Sequence, residues 1–194
     1  MTTPRRVQAW LRTLPYNAED ARPTLRTFRG VVRHGEAHCL EAVLAAATIL
    51  EQHGDPPIVL DLESQDGLDH VLLLYRRRGR WGSVARSRDA GLHGRKAAFR
   101  SVRDLVLSYV DPYNDGSGRI VAWGVFGLDA LTRADWRLAE GDVWSVERAL
   151  YAAPHVPLAT SDRRHARVRR RYLAFRARHP DAPAVDYAGR ERWL

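Results

Sequence analysis

The residues of this chain with the spacing for covalent chemistry are one cysteine and one histidine. Cys39, the single cysteine of the 194 residues, falls at the predicted first turn of an alanine-rich helix. His70 opens a predicted strand that begins Leu68-Asp69-His70-Val71-Leu72. A helix N-terminus presents free N–H groups and the positive end of the dipole. Both lower a thiol's pKa, and both can hold the oxyanion formed when a thiolate attacks a carbonyl. An imidazole brought to the sulfur would take its proton as general base and return it to the leaving group. A third group must then orient the imidazole. The plain alternative is a small buried side chain at Cys39 and a locally bonded strand residue at His70.

The elements that must position this pair follow from periodicity. Leu40, Val43, Leu44, Ala47 and Leu50 form an apolar stripe that predicts a buried helix over 37–53, stopped by Gly54 and Pro56-Pro57. Strands are predicted over 58–62, 70–75 and 81–85, with Ser64 to Gly67 as a turn and Arg76 to Arg80 as a hairpin connection. One buried helix followed by three adjacent strands, with no crossover helices between them, predicts an α+β domain with an antiparallel sheet. Further helices are expected over 7–14, 99–110 and 141–151, and an extra strand over 120–126. Residues 25–32 are apolar but ambiguous in type. Residues 1–160 read as the domain, and 161–194 as a basic C-terminal helix and tail.

Gly35-Glu36-Ala37-His38-Cys39 opening a helix, then His53-Gly54-Asp55-Pro56-Pro57, Asp69-His70-Val71 and Gly79-Arg80-Trp81, resemble the transglutaminase-like branch of the papain-like cysteine superfamily, and in particular a group of bacterial transglutaminase-like proteins. The superfamily core would span residues 33–88. The resemblance implies a papain-like helix-on-sheet core with additional C-terminal helices, Cys39 as nucleophile and His70 as base. It implies an amide hydrolase or acyl transferase working through a thioester, with no cofactor. The family usually carries its orienting aspartate four residues after the tryptophan. Here that position, after Trp81, is Ala85. Ser87 or Asp89 could serve only if the strand or its following loop is displaced, and Asp89 is the preferred candidate.

Nearby cations suggest how a substrate would be held. Arg86, Arg88, His93, Arg95 and Lys96, with Trp81, could grip a carboxylate or phosphate of a peptide, amide or acidic small molecule approaching Cys39. Solvated surface charge is the alternative. His34 and His38 have a spacing that can place two metal ligands on a helix face, but Gly35 interrupts it and no second ligand pair follows, so no metal is expected. Asn114-Asp115-Gly116 reads as a turn, because Ala122 stands where a calcium loop needs glutamate.

The formal charge of +8 is concentrated in one place. Between Ser161 and His179 eight arginines face one aspartate, leaving about +1 on the remainder. The Val168, Tyr172 and Phe175 stripe predicts an amphipathic helix there, which admits nucleic-acid binding as a lesser alternative. A catalytically idle papain-like binding module is the other, supported by Ala85. No apolar run is long enough to span a bilayer, Met1 to Arg6 lacks the apolar core of a signal peptide, and one cysteine cannot form an internal disulfide. A cytoplasmic location away from membranes is therefore expected, and the sequence leaves the oligomeric state open.

Overall fold

The computed structural model describes residues 1–113 and 118–180. The Asn114-Asp115-Gly116 turn and the tail 181–194 lie outside the described residues. Within them the chain is α+β: seven helices flank a six-stranded open sheet in which every pairing is antiparallel.

Helix α1 (Pro4–Thr13) starts where the Thr3 side chain accepts from the Arg6 amide, with Pro4 in the first turn, and buries Val7 and Leu11. This is the start proline favours, since its missing N–H has no partner to lose. The ambiguous segment 25–32 resolves into α2 (Phe28–His34), ended by Gly35 at φ +70°. Helix α3 (Cys39–Glu51) buries ten of its thirteen residues. Alanines at 42, 45, 46 and 47 let neighbours approach from several sides, so it is enclosed rather than merely amphipathic.

Strands β1 (Ile58–Ser64), β2 (His70–Arg77), β3 (Arg80–Val84), β4 (Arg95–Phe99), β5 (Ile120–Gly127) and β6 (Val156–Pro157) lie in the order β4-β3-β2-β1-β5-β6. Side-chain alternation splits the core into two layers. Val59, Val71, Leu73 and Val84 pack with α3. Leu60, Leu62, Leu72 and Leu74 pack with Leu105, Val106 and Tyr109 of α4 (Val102–Val110). Helices α5 (Leu128–Leu131) and α6 (Trp144–Ala152) complete the α3 side through Leu128, Val146 and Leu150.

Two expectations are corrected. Residues 95–99, where Arg95 and Lys96 read as cations of a substrate grip and Phe99 as the start of a helix, form β4 on the edge of the sheet. The helix begins only at Val102, because Ser101 and Asp104 form a capping box. The basic segment is α7 (Asp162–Arg178), capped by Ser161 and burying Val168. Arg164 bonds Asp111 at 2.7 Å and Arg119 pairs with Asp162 at 2.7 Å, which ties the helix to the body. Among the described residues no helix is long and apolar enough to cross a membrane.

Candidate functional site

Cys39 is the first residue of α3 and His70 the first residue of β2. They meet at one end of the helix–sheet stack, lining a cavity of about 420 Å³. The 16–24 loop, the β1–β2 turn, the loop after β3 and one side of α6 form its walls. The sulfur lies beside two imidazoles, His38 and His70. Burial pushes the thiol up, but its interactions with the two rings outweigh burial and bring the thiol down to about 5. Cys39 is partly exposed, so this thiolate has access to the cavity.

His70 is 3% exposed, and its ring lies 6.4 Å from those of Tyr109 and Tyr113. Its Nε2 donates to the Leu92 carbonyl at 2.8 Å. That bond fixes the tautomer and leaves Nδ1 for the sulfur. The orienting group is thus a backbone oxygen, whereas the sequence points to Asp89 or Ser87. Both of those residues line the cavity, but Asp89 accepts from the Gly91 amide at 2.6 Å and Ser87 Oγ accepts from the Asp89 amide at 3.2 Å. Strand β3 ends at Val84, so the extended geometry that would have carried Ser87 and Asp89 along one face is absent.

The loop holding Leu92 is pinned from beneath. Arg95, 2% exposed, donates to the carbonyls of His93 at 2.6 Å and Gly91 at 2.5 Å, with its guanidinium 4.1 Å from the Tyr109 ring centroid. Gln8 of α1 bonds both backbone groups of Ala85 at 2.9 Å and accepts from the Gly94 amide at 3.2 Å. Gly94 permits this closeness, since a Cβ there would lie 2.3 Å from the Ser83 carbonyl oxygen.

These bonds revise the expected anion grip. Of the six residues assigned to it only Arg88 lines the cavity. Arg86 donates to the Leu14 and Ser87 carbonyls, and His93 bonds the Ser87 carbonyl. Arg95 is consumed by the loop, Lys96 is exposed on the edge strand, and Trp81 packs with the α4 layer beneath Arg76. Among the described residues the cavity wall instead carries six carboxylates.

Three groups at the site escape a reading of the sequence. His38, which the sequence offers only as a metal ligand with His34, is the N-cap of α3, while His34 ends α2 and is exposed. Its Nε2 donates to the Thr24 carbonyl at 2.9 Å and its Nδ1 accepts from Leu40 at 3.3 Å. Burial lowers its pKa, but the Cys39 sulfur and the Glu41 carboxylate outweigh burial and raise it to about 9. A protonated Nδ1 cannot accept, so charging His38 costs the Leu40 bond. That bond is long, and the adjacent thiolate prevails. The direct adjacency of His38 and Cys39 is the available signal.

Glu41, fully buried, accepts from Asn17 Nδ2 at 3.0 Å, Thr24 Oγ1 at 2.8 Å, and the amides of Arg26 at 3.0 Å and His38 at 3.1 Å. It fastens the 17–26 wall to the start of α3, and its place three residues after the cap is the signal. Burial pushes its carboxyl up, but the His38 charge and these donors hold it below the ordinary range. The stability it contributes is therefore complete above the ordinary glutamate value of about 4.3 and is lost as the pH falls through the lower folded value. Glu41→Ala should cost at least ~3 kcal/mol, because each orphaned buried donor costs roughly 1–3 kcal/mol. Urea denaturation measures this, and a loss under ~1 kcal/mol would contradict the anchoring role.

Tyr16 is the third. It lines the cavity with Cys39, and burial together with the thiolate pushes its pKa up, so it remains a protonated donor. Among the described residues no group of three or more histidine, cysteine, aspartate or glutamate side chains is placed to hold a metal ion. Comparison of the sequence with profiles of known protein families and with curated proteins found no match in either case.

Proposed function

We propose that this protein is a cysteine-nucleophile acyl-transfer enzyme of the transglutaminase-like class, with a papain-like core. It opens an amide through a thioester on Cys39. The observation that carries the reading is the thiol at a helix N-terminus beside two imidazoles, lining a cavity.

The thiolate attacks the carbonyl carbon, and the oxygen gathers negative charge. The Cys39 amide, at the helix N-terminus, and the Tyr16 hydroxyl, on the cavity wall beside it, donate to that oxygen. His70, holding on Nδ1 the proton it took from the thiol, gives that proton to the departing amine as the carbon–nitrogen bond breaks, leaving a thioester. It then takes a proton from the incoming water or amine, whose attack on the thioester carbonyl releases the sulfur. His38 keeps its Nε2 on the Thr24 carbonyl and turns its protonated Nδ1 to the thiolate, so it supplies charge there and leaves proton transfer to His70.

The first test is 4-nitrophenyl acetate. A burst of nitrophenolate equal to the protein present, with the acetyl group mapped by mass spectrometry to Cys39 and absent in Cys39→Ala, is expected. Nitrophenolate release that is unchanged in Cys39→Ala would refute the reading. The rival, an idle module that binds a partner in the same cleft, is favoured by Ala85 and by the backbone carbonyl that stands where a carboxylate would bond the His70 ring. It predicts no adduct at all.

A further inference from the structure

The floor of the cavity holds a group the acyl-transfer chemistry does not use. Asp61 interrupts the apolar run of β1, Ile58-Val59-Leu60-Asp61-Leu62, and its parity turns it to the α3 side with Val59. It is 3% exposed and lines the cavity with Cys39. Its Oδ2 meets His155 Nε2 at 3.2 Å, and the other His155 nitrogen bonds the Ala153 carbonyl at 2.9 Å. Its Oδ1 is buried and has no hydrogen-bond partner among the described residues.

A buried carboxylate oxygen without a donor is costly. Burial here pushes the Asp61 carboxyl up to about 6, and the neighbouring Asp69 and the Cys39 thiolate add to the rise while His155 opposes it. The surrounding wall makes the missing donor a charged one. Among the described residues six carboxylates line the cavity, including Asp69 and Glu147, against the guanidinium of Arg88 and the His38 imidazolium. Burial raises both Asp69 and Glu147, as expected where negative groups crowd a partly dry cleft. The protein as a whole is cationic, at +8, so this wall is a local reversal of sign.

We propose, resting on the thiol site at Cys39, that the cleft selects a substrate carrying a protonated amine, and that Asp61 Oδ1 accepts a hydrogen bond from that ammonium group. An anionic substrate is disfavoured by the same wall. Asp61 is then a specificity residue, separate from the thiol–imidazole pair that performs the bond exchange.

Methanethiosulfonate reagents test this without knowledge of the natural substrate. The Cys39 thiolate attacks the sulfenyl sulfur of R–S–SO2–CH3, forming the mixed disulfide Cys39–S–S–R and releasing methanesulfinate. Four head groups are compared on the full chain at neutral pH: ammonium, with two- and six-carbon tethers, trimethylammonium, hydroxyl and sulfonate. Each rate is divided by that of the same reagent with 2-mercaptoethanol. An ammonium reagent of one tether length should exceed the hydroxyl reagent by about tenfold or more, as a charge-assisted bond implies. It should also exceed trimethylammonium, which has the same charge and no N–H, and sulfonate should be slowest.

In Asp61→Asn the advantage of ammonium over trimethylammonium should collapse. Because the readout is a ratio between reagents, any change in thiol reactivity cancels. Equal rates for ammonium and trimethylammonium in the natural protein overturn the proposal even if the variant fails to fold, and so does an advantage that survives in a folded Asp61→Asn. Fast reaction with the hydroxyl reagent but no charge preference removes the cation seat and leaves the thiol site standing. Inertness toward every head group removes both.

Discussion

Carboxamidomethylation of Cys39 by iodoacetamide should rise with a midpoint near pH 5 and be level through neutrality. An ordinary peptide thiol rises through about 8.5. At pH 6 Cys39 would be about nine-tenths thiolate and the peptide about 0.3%, a ratio of roughly 300. Low-pKa thiolates are weaker nucleophiles, and a Brønsted slope near 0.45 over about 3.5 units gives back roughly 40-fold. The net expectation is labelling about eight times faster than the peptide at pH 6, and slower than the peptide above about pH 7. The crossing of the two curves is therefore the diagnostic, and a rate at neutral pH alone is not. A Cys39 profile whose midpoint lies at pH 8 or above would remove the thiolate, and with it the nucleophile.

The second large effect falls on deacylation. His70→Ala should retain the nitrophenolate burst, since nitrophenolate leaves without a proton and His38 still supports the thiolate. Turnover after the burst should fall by about 10²–10⁴, because general-base activation of the incoming water is worth that much. Acetyl-Cys39 would accumulate and be seen by mass spectrometry. A steady-state rate within a few-fold of the natural protein would exclude His70 as the base. Iodoacetamide labelling serves as the control, because alkylation needs only the thiolate and its rate should change far less than turnover.

The helix that carries Cys39 can be read from its alanine spacing and its Gly-Pro stop, and β2 from a run of β-formers after a turn. Both are local signals, and the structure starts the two elements at Cys39 and His70. Residues 95–99 cannot be read in this way. Arg95 and Lys96 have the composition of a solvated loop, and only the pairing of Trp81 with Phe99 and Ser83 with Arg95 makes them an edge strand. A side-chain orienter for His70 at a fixed distance from Trp81 presumes an extended β3. The strand stops one residue before Ala85, and the chain turns back so that a carbonyl takes the position. Arg86, His93 and Arg95 mislead for a related reason. In sequence a cation beside a cleft looks like a ligand grip, but the same guanidinium geometry satisfies carbonyls in a tight loop. Asp61 does carry a sequence signal, a carboxylate in the middle of an apolar strand, but only the cavity gives that signal a meaning.

The acceptor for the His70 ring belongs to the main chain, so no point substitution at position 92 can delete it. What mutation can do is let the 89–95 loop drift, and the guanidinium folded beneath it is where that happens. Beyond Cys39 and His70 themselves, inactivating changes should thus concentrate at Arg95 and at Gln8, far from the sulfur in sequence, while position 92 itself accepts any side chain that fills its apolar niche.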